Sequence, residues 1–140
     1  MFDILVGNYV ENVRKLQKEG AKFQLVLVNQ KKNIGFLHTM YEEMEKVLED
    51  NATVFLYSNS EMLDVLIEHA TEEGGEVLTV FDDNNEVAKA CFRTKRNITT
   101  LVKGWNERKE KENELIDYLE GGEKNLNQNK EEEKKNCLFI

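Results

Sequence analysis

Two histidines, two cysteines and several carboxylate runs are the residues of this chain with the means to do chemistry. His38 and His69 both fall in segments with helical spacing, and neither stands beside a nucleophile on a sharp strand-to-helix turn. A solvated or structural role is expected for each. Cys91 and Cys137 lie too far apart in sequence to form a zinc-ligand pair. Cys91, between Ala90 and Phe92, reads as a small buried hydrophobe rather than a reactive thiolate. Glu42, Glu45 and Glu49 share one helical face, with Glu43 beside them, and carboxylate runs of this kind are usually solvated surface. Gly74-Gly75 lacks the spaced glycines and the Lys-Ser/Thr of a phosphate loop, and it precedes a strand, so it reads as a helix stop. No catalytic constellation, metal set or cofactor loop emerges. The expectation is therefore a chain suited to interaction more than to catalysis, with neither cofactor nor metal; a small enzyme of ribonuclease H-like or nucleotide-binding type, relying on Glu42 or Asp64, ranks last.

The elements that carry these residues alternate. Residues 2–19 place Phe2, Leu5, Val6, Tyr9, Val10, Val13 and Leu16 at spacings of three and four, which predicts a helix ending at Gly20. "FDILV" has an alternative reading as a first strand. Strands are expected at 23–28, 53–58, 77–81 and 97–104, the last with a helical alternative. Helices are expected at 35–50, 61–73, 86–92 and 105–119. This order predicts an α/β protein: a three-layer α-β-α sandwich with a mostly parallel four-stranded sheet and a C-terminal helix. The chain divides into one α/β domain, 1–120, and a tail, 121–140, whose Lys/Glu/Asn-rich stretch 123–136 reads as disordered. No internal repeat interrupts this order, and the chain contains no proline.

The net charge of -8 is unevenly spread. Residues 38–86 hold one Lys against fourteen carboxylates, whereas residues 87–108 hold six basic groups and one Glu. The acidic field disfavours nonspecific nucleic-acid binding and suits a protein partner with a basic surface. No apolar run is long enough to cross a membrane, no secretory signal opens the chain, and two cysteines make no disulfide framework. An intracellular, cytoplasmic protein is expected.

Three local resemblances add to this reading. "LYSNSEMLDVL", 56–66, resembles a strand-to-helix junction of ribonuclease H-like folds, with Asn59 where those enzymes place a metal-binding aspartate. An active nuclease is not implied. "EVLTVFDDNNEVAKACFRTKRNITTLV", 76–102, resembles the last strand–helix–strand of the kink-turn-binding ribosomal protein superfamily. Asn85, Glu86, Val87, Ala90 and Cys91 match its helix start, while Ala88 and Phe92 replace its glycines. By that resemblance Asn85, Glu86, Lys89, Arg93, Lys95 and Arg96 would contact RNA. The family's Gly-x-Asn-Glu-x-Thr-Lys start is absent, since Gly35 is followed by Phe36, Leu37, His38 and Thr39. The acidic growth-arrest and DNA-damage-inducible proteins resemble the same fold, bind proteins and lack that motif. Finally, Cys137-Leu138-Phe139-Ile140 resembles a prenylation signal, with Cys137 as the lipidated residue. The segment before it carries no net basic charge, so only reversible membrane association would follow. Together these readings point to a non-catalytic, regulatory protein-interaction module tethered through Cys137, with a kink-turn RNA-binding protein as the alternative.

Overall fold

The computed structural model describes residues 1–29, 34–80 and 82–137, without the side chains of 34–37, 39, 83 and 122–137. Five strands, β1 (Phe2–Val6), β2 (Phe23–Asn29), β3 (Leu48–Tyr57), β4 (Glu76–Val80) and β5 (Asn97–Val102), form one sheet. Five helices accompany them: α1 (Tyr9–Lys18), α2 (Ile34–Glu45), α3 (Leu63–Ala70), α4 (Glu86–Arg93) and α5 (Trp105–Cys137). The strand order is β1-β5-β4-β2-β3 and every pairing is parallel.

The sheet is buried on both faces, which is why β2, β4 and β5 read as continuous apolar runs. On one face Tyr9, Val13 and Leu16 of α1 and Met40 and Met44 of α2 cover Val26, Val28, Leu78, Val80 and Leu101. On the other, Leu63 and Ile67 of α3, Val87, Ala88 and Cys91 of α4, and Leu115 of α5 cover Leu25, Leu27, Val77 and Ile98. Three layers result, as the alternation of elements predicts.

The sheet has five strands rather than four. The additional strand is β1, in register with β5 from Phe2 opposite Ile98 to Val6 opposite Val102. Phe2, Leu5 and Val6 satisfy helical spacing, but Gly7 at φ +114° breaks the run and Asn8 starts α1 anew. The Asn8 side chain accepts a hydrogen bond from the Glu11 backbone N–H at 3.1 Å, an N-cap. Residues 97–102 form a strand, which resolves that alternative. The helix expected over 35–50 ends at Glu45, and Leu48 already belongs to β3. There the β2–β3 register jumps from Phe23 opposite Leu48 to Leu25 opposite Thr53, and Asn51 at φ 64° turns the extra residues outward. α5 runs to Cys137, past the residue 119 expected for it and through the stretch whose composition suggests disorder. Lys, Glu and Gln are good helix formers and no proline interrupts them. Among the described residues no helix is long and apolar enough to cross a membrane.

Candidate functional site at the carboxyl edge of the sheet

In an open parallel sheet, ligands bind beyond the carboxyl ends of the strands, where neighbouring strands send their helices to opposite faces. Here β1 and β5, β2 and β3, and β2 and β4 meet that condition, and at the last pair two buried polar side chains of one turn gather. Strands β2 and β4 pair from Leu25 opposite Val77 to Val28 opposite Val80. The helix after β2 covers one face and the helix after β4 covers the other. Residues 30–33 and Phe81 lie outside the described residues. The described wall is the turn from Asp82 to Asn85, with Asn29 buried at the end of β2.

Two polar side chains of this turn, Asp82 and Asn85, lie out of water. Asp82 is 1% exposed. Its two carboxyl oxygens accept hydrogen bonds from the backbone N–H groups of Val87, at 2.9 Å, and Ala88, at 3.1 Å. It therefore serves the first turn of α4 as a capping acid from outside the helix. Burial pushes its pKa up to about 6, against the opposing pull of those two N–H groups and of Lys111. Lys111 of α5 donates to the Asp82 backbone carbonyl and so ties α5 to the turn.

Asn84 and Asn85 are both left-handed, at φ 57° and 56°. Asparagine tolerates that region better than other residues with a Cβ. Asn85 is 1% exposed. Its Nδ2 donates weakly to the Lys111 carbonyl at 3.4 Å, and its Oδ1 has no hydrogen-bond partner among the described residues. An orphaned buried amide oxygen costs about 1–3 kcal/mol. Such an atom next to a switch point is what a ligand donor would satisfy.

The six residues expected to contact RNA do not form one surface. Asn85 is buried and Glu86 opens α4, both at the carboxyl edge of the sheet. Arg93, Lys95 and Arg96 stand at the other end of this eight-residue helix, about 12 Å away. Arg93 makes a bidentate pair with Asp64 at 2.8 and 2.9 Å, which raises its pKa further. Arg96 donates to the Thr71 hydroxyl and carbonyl and to the Thr94 carbonyl, closing the α3 and α4 C-termini onto each other. Lys89 pairs with Glu114 and lies over the Tyr118 ring. Lys95 is exposed, 3.8 Å from Glu73. Intramolecular acids thus pair four of the six basic groups of 87–108, Lys89, Arg93, Lys95 and Arg108.

The remaining candidates are as dispersed. His38 and His69 are exposed, as are Glu42, Glu45 and Glu49. Among the described residues no group of His, Cys, Asp and Glu is placed to hold a metal ion. Cys91 is buried, and burial pushes its thiol up to about 12. Asn59 caps the short 3₁₀ turn Ser60–Met62 by accepting from the Glu61 N–H at 2.9 Å. Cys137 ends α5 with its side chain undescribed, and Leu138–Ile140 lie outside the described residues.

No protein-family model and no curated protein matches the sequence. Solved structures do share the fold. The crystal structure of M1.HpyAVI superposes with a TM-score of 0.68 at 10% identity, over 82% of this chain and 99% of that one. The M1.HpyAVI–SAM complex superposes at 0.65 and 9% identity, over 81% and 99%. The second of these structures holds SAM. The finding corrects the functional expectation. The chain was expected to be a non-catalytic interaction module or a kink-turn RNA binder, and the fold it has is instead one shared with M1.HpyAVI, a protein solved with SAM.

Proposed function

We propose that this chain binds S-adenosylmethionine (SAM) at the carboxyl edge of its sheet, between β2 and β4, and acts as a methyltransferase. The supporting observation is the shared fold, which covers most of both chains and includes a neighbour solved with SAM. The residues present fit such a ligand in their donor set. The orphaned Oδ1 of Asn85 accepts from an amino group, and the acidic field around the turn suits a cationic sulfonium. When bound, SAM supplies an activated methyl group for a nucleophile. The chain's own contribution is positional. Asp82 and Lys111 hold the turn against α4 and α5, and the turn in its left-handed form presents Asn85. No glycine-spaced loop follows a strand, so side-chain amides rather than a backbone cradle do the binding.

Calorimetric titration of SAM tests this, with Asn85→Gly beside the natural chain. Glycine keeps the left-handed backbone and deletes only the amide. Saturable binding that weakens about tenfold in the variant, at a thermal midpoint no lower than that of the natural chain, is expected from the loss of one buried hydrogen bond to the ligand. Absence of heat and of thermal stabilisation at about 1 mM SAM, a concentration that detects even weak complexes, would refute the reading.

A further inference from the structure

The β3 edge of the sheet is built to receive another strand. β3 is terminal in the strand order, and among the described residues no strand pairs with its outer side. Natural edge strands are usually blunted by Lys, Pro or an overlying loop. Here the bulge with Glu49 and Asp50 blunts only the start of the strand, and the regular part, Thr53–Tyr57, is bordered by exposed apolar side chains on both of its faces.

Alternation along β3 sends Phe55 and Tyr57 to the α3 face and Leu56 to the opposite face. Phe55 is 43% and Leu56 39% exposed. Above the α3 face stand Met62, 62% exposed, and Val65, 45% exposed. Met62, Val65, Leu66 and His69 recur at helical spacing, so they form one stripe along α3. With Phe55, Tyr57, Asn59 and Leu63 this stripe encloses an open apolar groove of about 260 Å³. A sixth strand would lie about 4.8 Å outside β3. Its inward residues would enter this groove, and its alternate residues would cover Leu56.

Charge selects the occupant. From 47 to 88 the chain has no Lys or Arg and eleven Asp and Glu. Glu61 and Glu68 flank the α3 stripe, and Glu49 and Asp50 flank the bulged end of β3, all exposed. A second copy would bring the same acids to the edge, and β3 itself carries no positive charge to meet them. We propose that the β3 edge docks an extended segment of another protein, one that alternates apolar residues with Lys or Arg and adds as a sixth strand. The proposal does not rest on the function proposed at the Asn85 turn.

The test uses the full chain and three fluorescent peptides of about ten residues, enough to pair with the regular part of β3. One alternates Val with Lys, one alternates Val with Glu, and one groups its Val and Lys in two blocks. The alternating Val/Lys peptide is expected to bind at least tenfold more tightly than either control. Its binding should weaken from about 50 to about 300 mM NaCl. Hydrogen exchange at the amides of Thr53–Tyr57 should slow in the complex. Phe55→Lys with Val65→Lys, both at exposed positions, should weaken binding about tenfold or more without lowering the thermal midpoint. Equal binding of the block peptide, unchanged exchange along β3, or no binding by any peptide would each overturn the proposal. So would a dimer in sedimentation that Phe55→Lys dissociates, since the edge would then belong to a second copy.

Discussion

The buried carboxyl of Asp82 should make folding stability depend on pH in the direction opposite to that of most acids. Burial dominates its environment, and its pKa rises from 3.8 to about 6 in the folded chain. Between those values the folded state binds a proton that the unfolded state has released. Stability contributed by this group is therefore present at low pH and is lost as pH rises through 6. Linkage over this interval puts the change between pH 4 and pH 7 at about 2 kcal/mol. Other acids act the opposite way. Glu43, whose hydrogen bond to Arg14 lowers its pKa, loses stability on acidification. The effect of Asp82 must therefore be isolated by difference. Asp82→Asn removes the titration and keeps one acceptor for the Val87 or Ala88 N–H, so its other cost is independent of pH. Urea unfolding of both proteins, followed by circular dichroism at pH 7 and pH 4, gives the comparison. The natural protein should gain about 2 kcal/mol on the variant as pH falls. A difference constant to within about 0.5 kcal/mol would refute the reasoning, because the two N–H groups and Lys111 would then hold the carboxyl near its ordinary pKa.

Two further substitutions probe how the site is held. Leu115 is the fully buried side chain by which α5 reaches the core, and Leu115→Ala should cost about 2–5 kcal/mol in urea unfolding. Loss of that anchor should also free Lys111 from the Asp82 carbonyl, so the same variant should weaken SAM binding. Arg93→Met breaks the pair with Asp64, but both side chains are about two-fifths exposed, so the loss should stay under about 1 kcal/mol. A larger loss would show that this pair carries the junction of α3 with α4.

Much of the fold is legible in the sequence because it rests on alternation. "FQLVLV", "VLTV" and "ITTLV" are apolar on both sides, as strands covered on both faces must be, and each lies between helices of amphipathic spacing. β1 is ambiguous because Phe2, Leu5 and Val6 fit both periods over so short a run. The deciding signal is Gly7-Asn8 followed by Glu11, a turn and an N-cap inside what reads as one helix. The end of α2 is blurred for a related reason. Val47 is buried whether it closes a helix or begins the approach to a strand. The site was legible in part. "DDNN" stands out as a set of caps, and Asn85 was singled out through a family resemblance. Which carboxylate is buried was not legible, because that depends on Lys111, Val87 and Ala88 closing over Asp82 from two other elements. The basic residues of 89–96 read as a surface patch, since their partners Asp64, Thr71 and Glu114 are distant in sequence.

Backbone strain also separates the turn from the rest of the chain. Lys95 is left-handed where α4 ends, and its N–H bonds back to Phe92, so the conformation closes a helix. Asn51 is left-handed where β3 bulges, and the register shift accounts for it. Asn84 and Asn85 are left-handed in succession, and that conformation leaves a buried amide oxygen without a partner rather than satisfying one. Glu43 Oε2 and Arg108 Nε also lack a hydrogen bond, but each lies within 4 Å of an opposite charge, whereas Asn85 Oδ1 has no such compensation among the described residues, a local conflict that folding alone does not reward. A ligand that donates to Asn85 would remove the conflict. The turn is for that reason a more specific pointer to the working edge than any of the exposed histidines or acids.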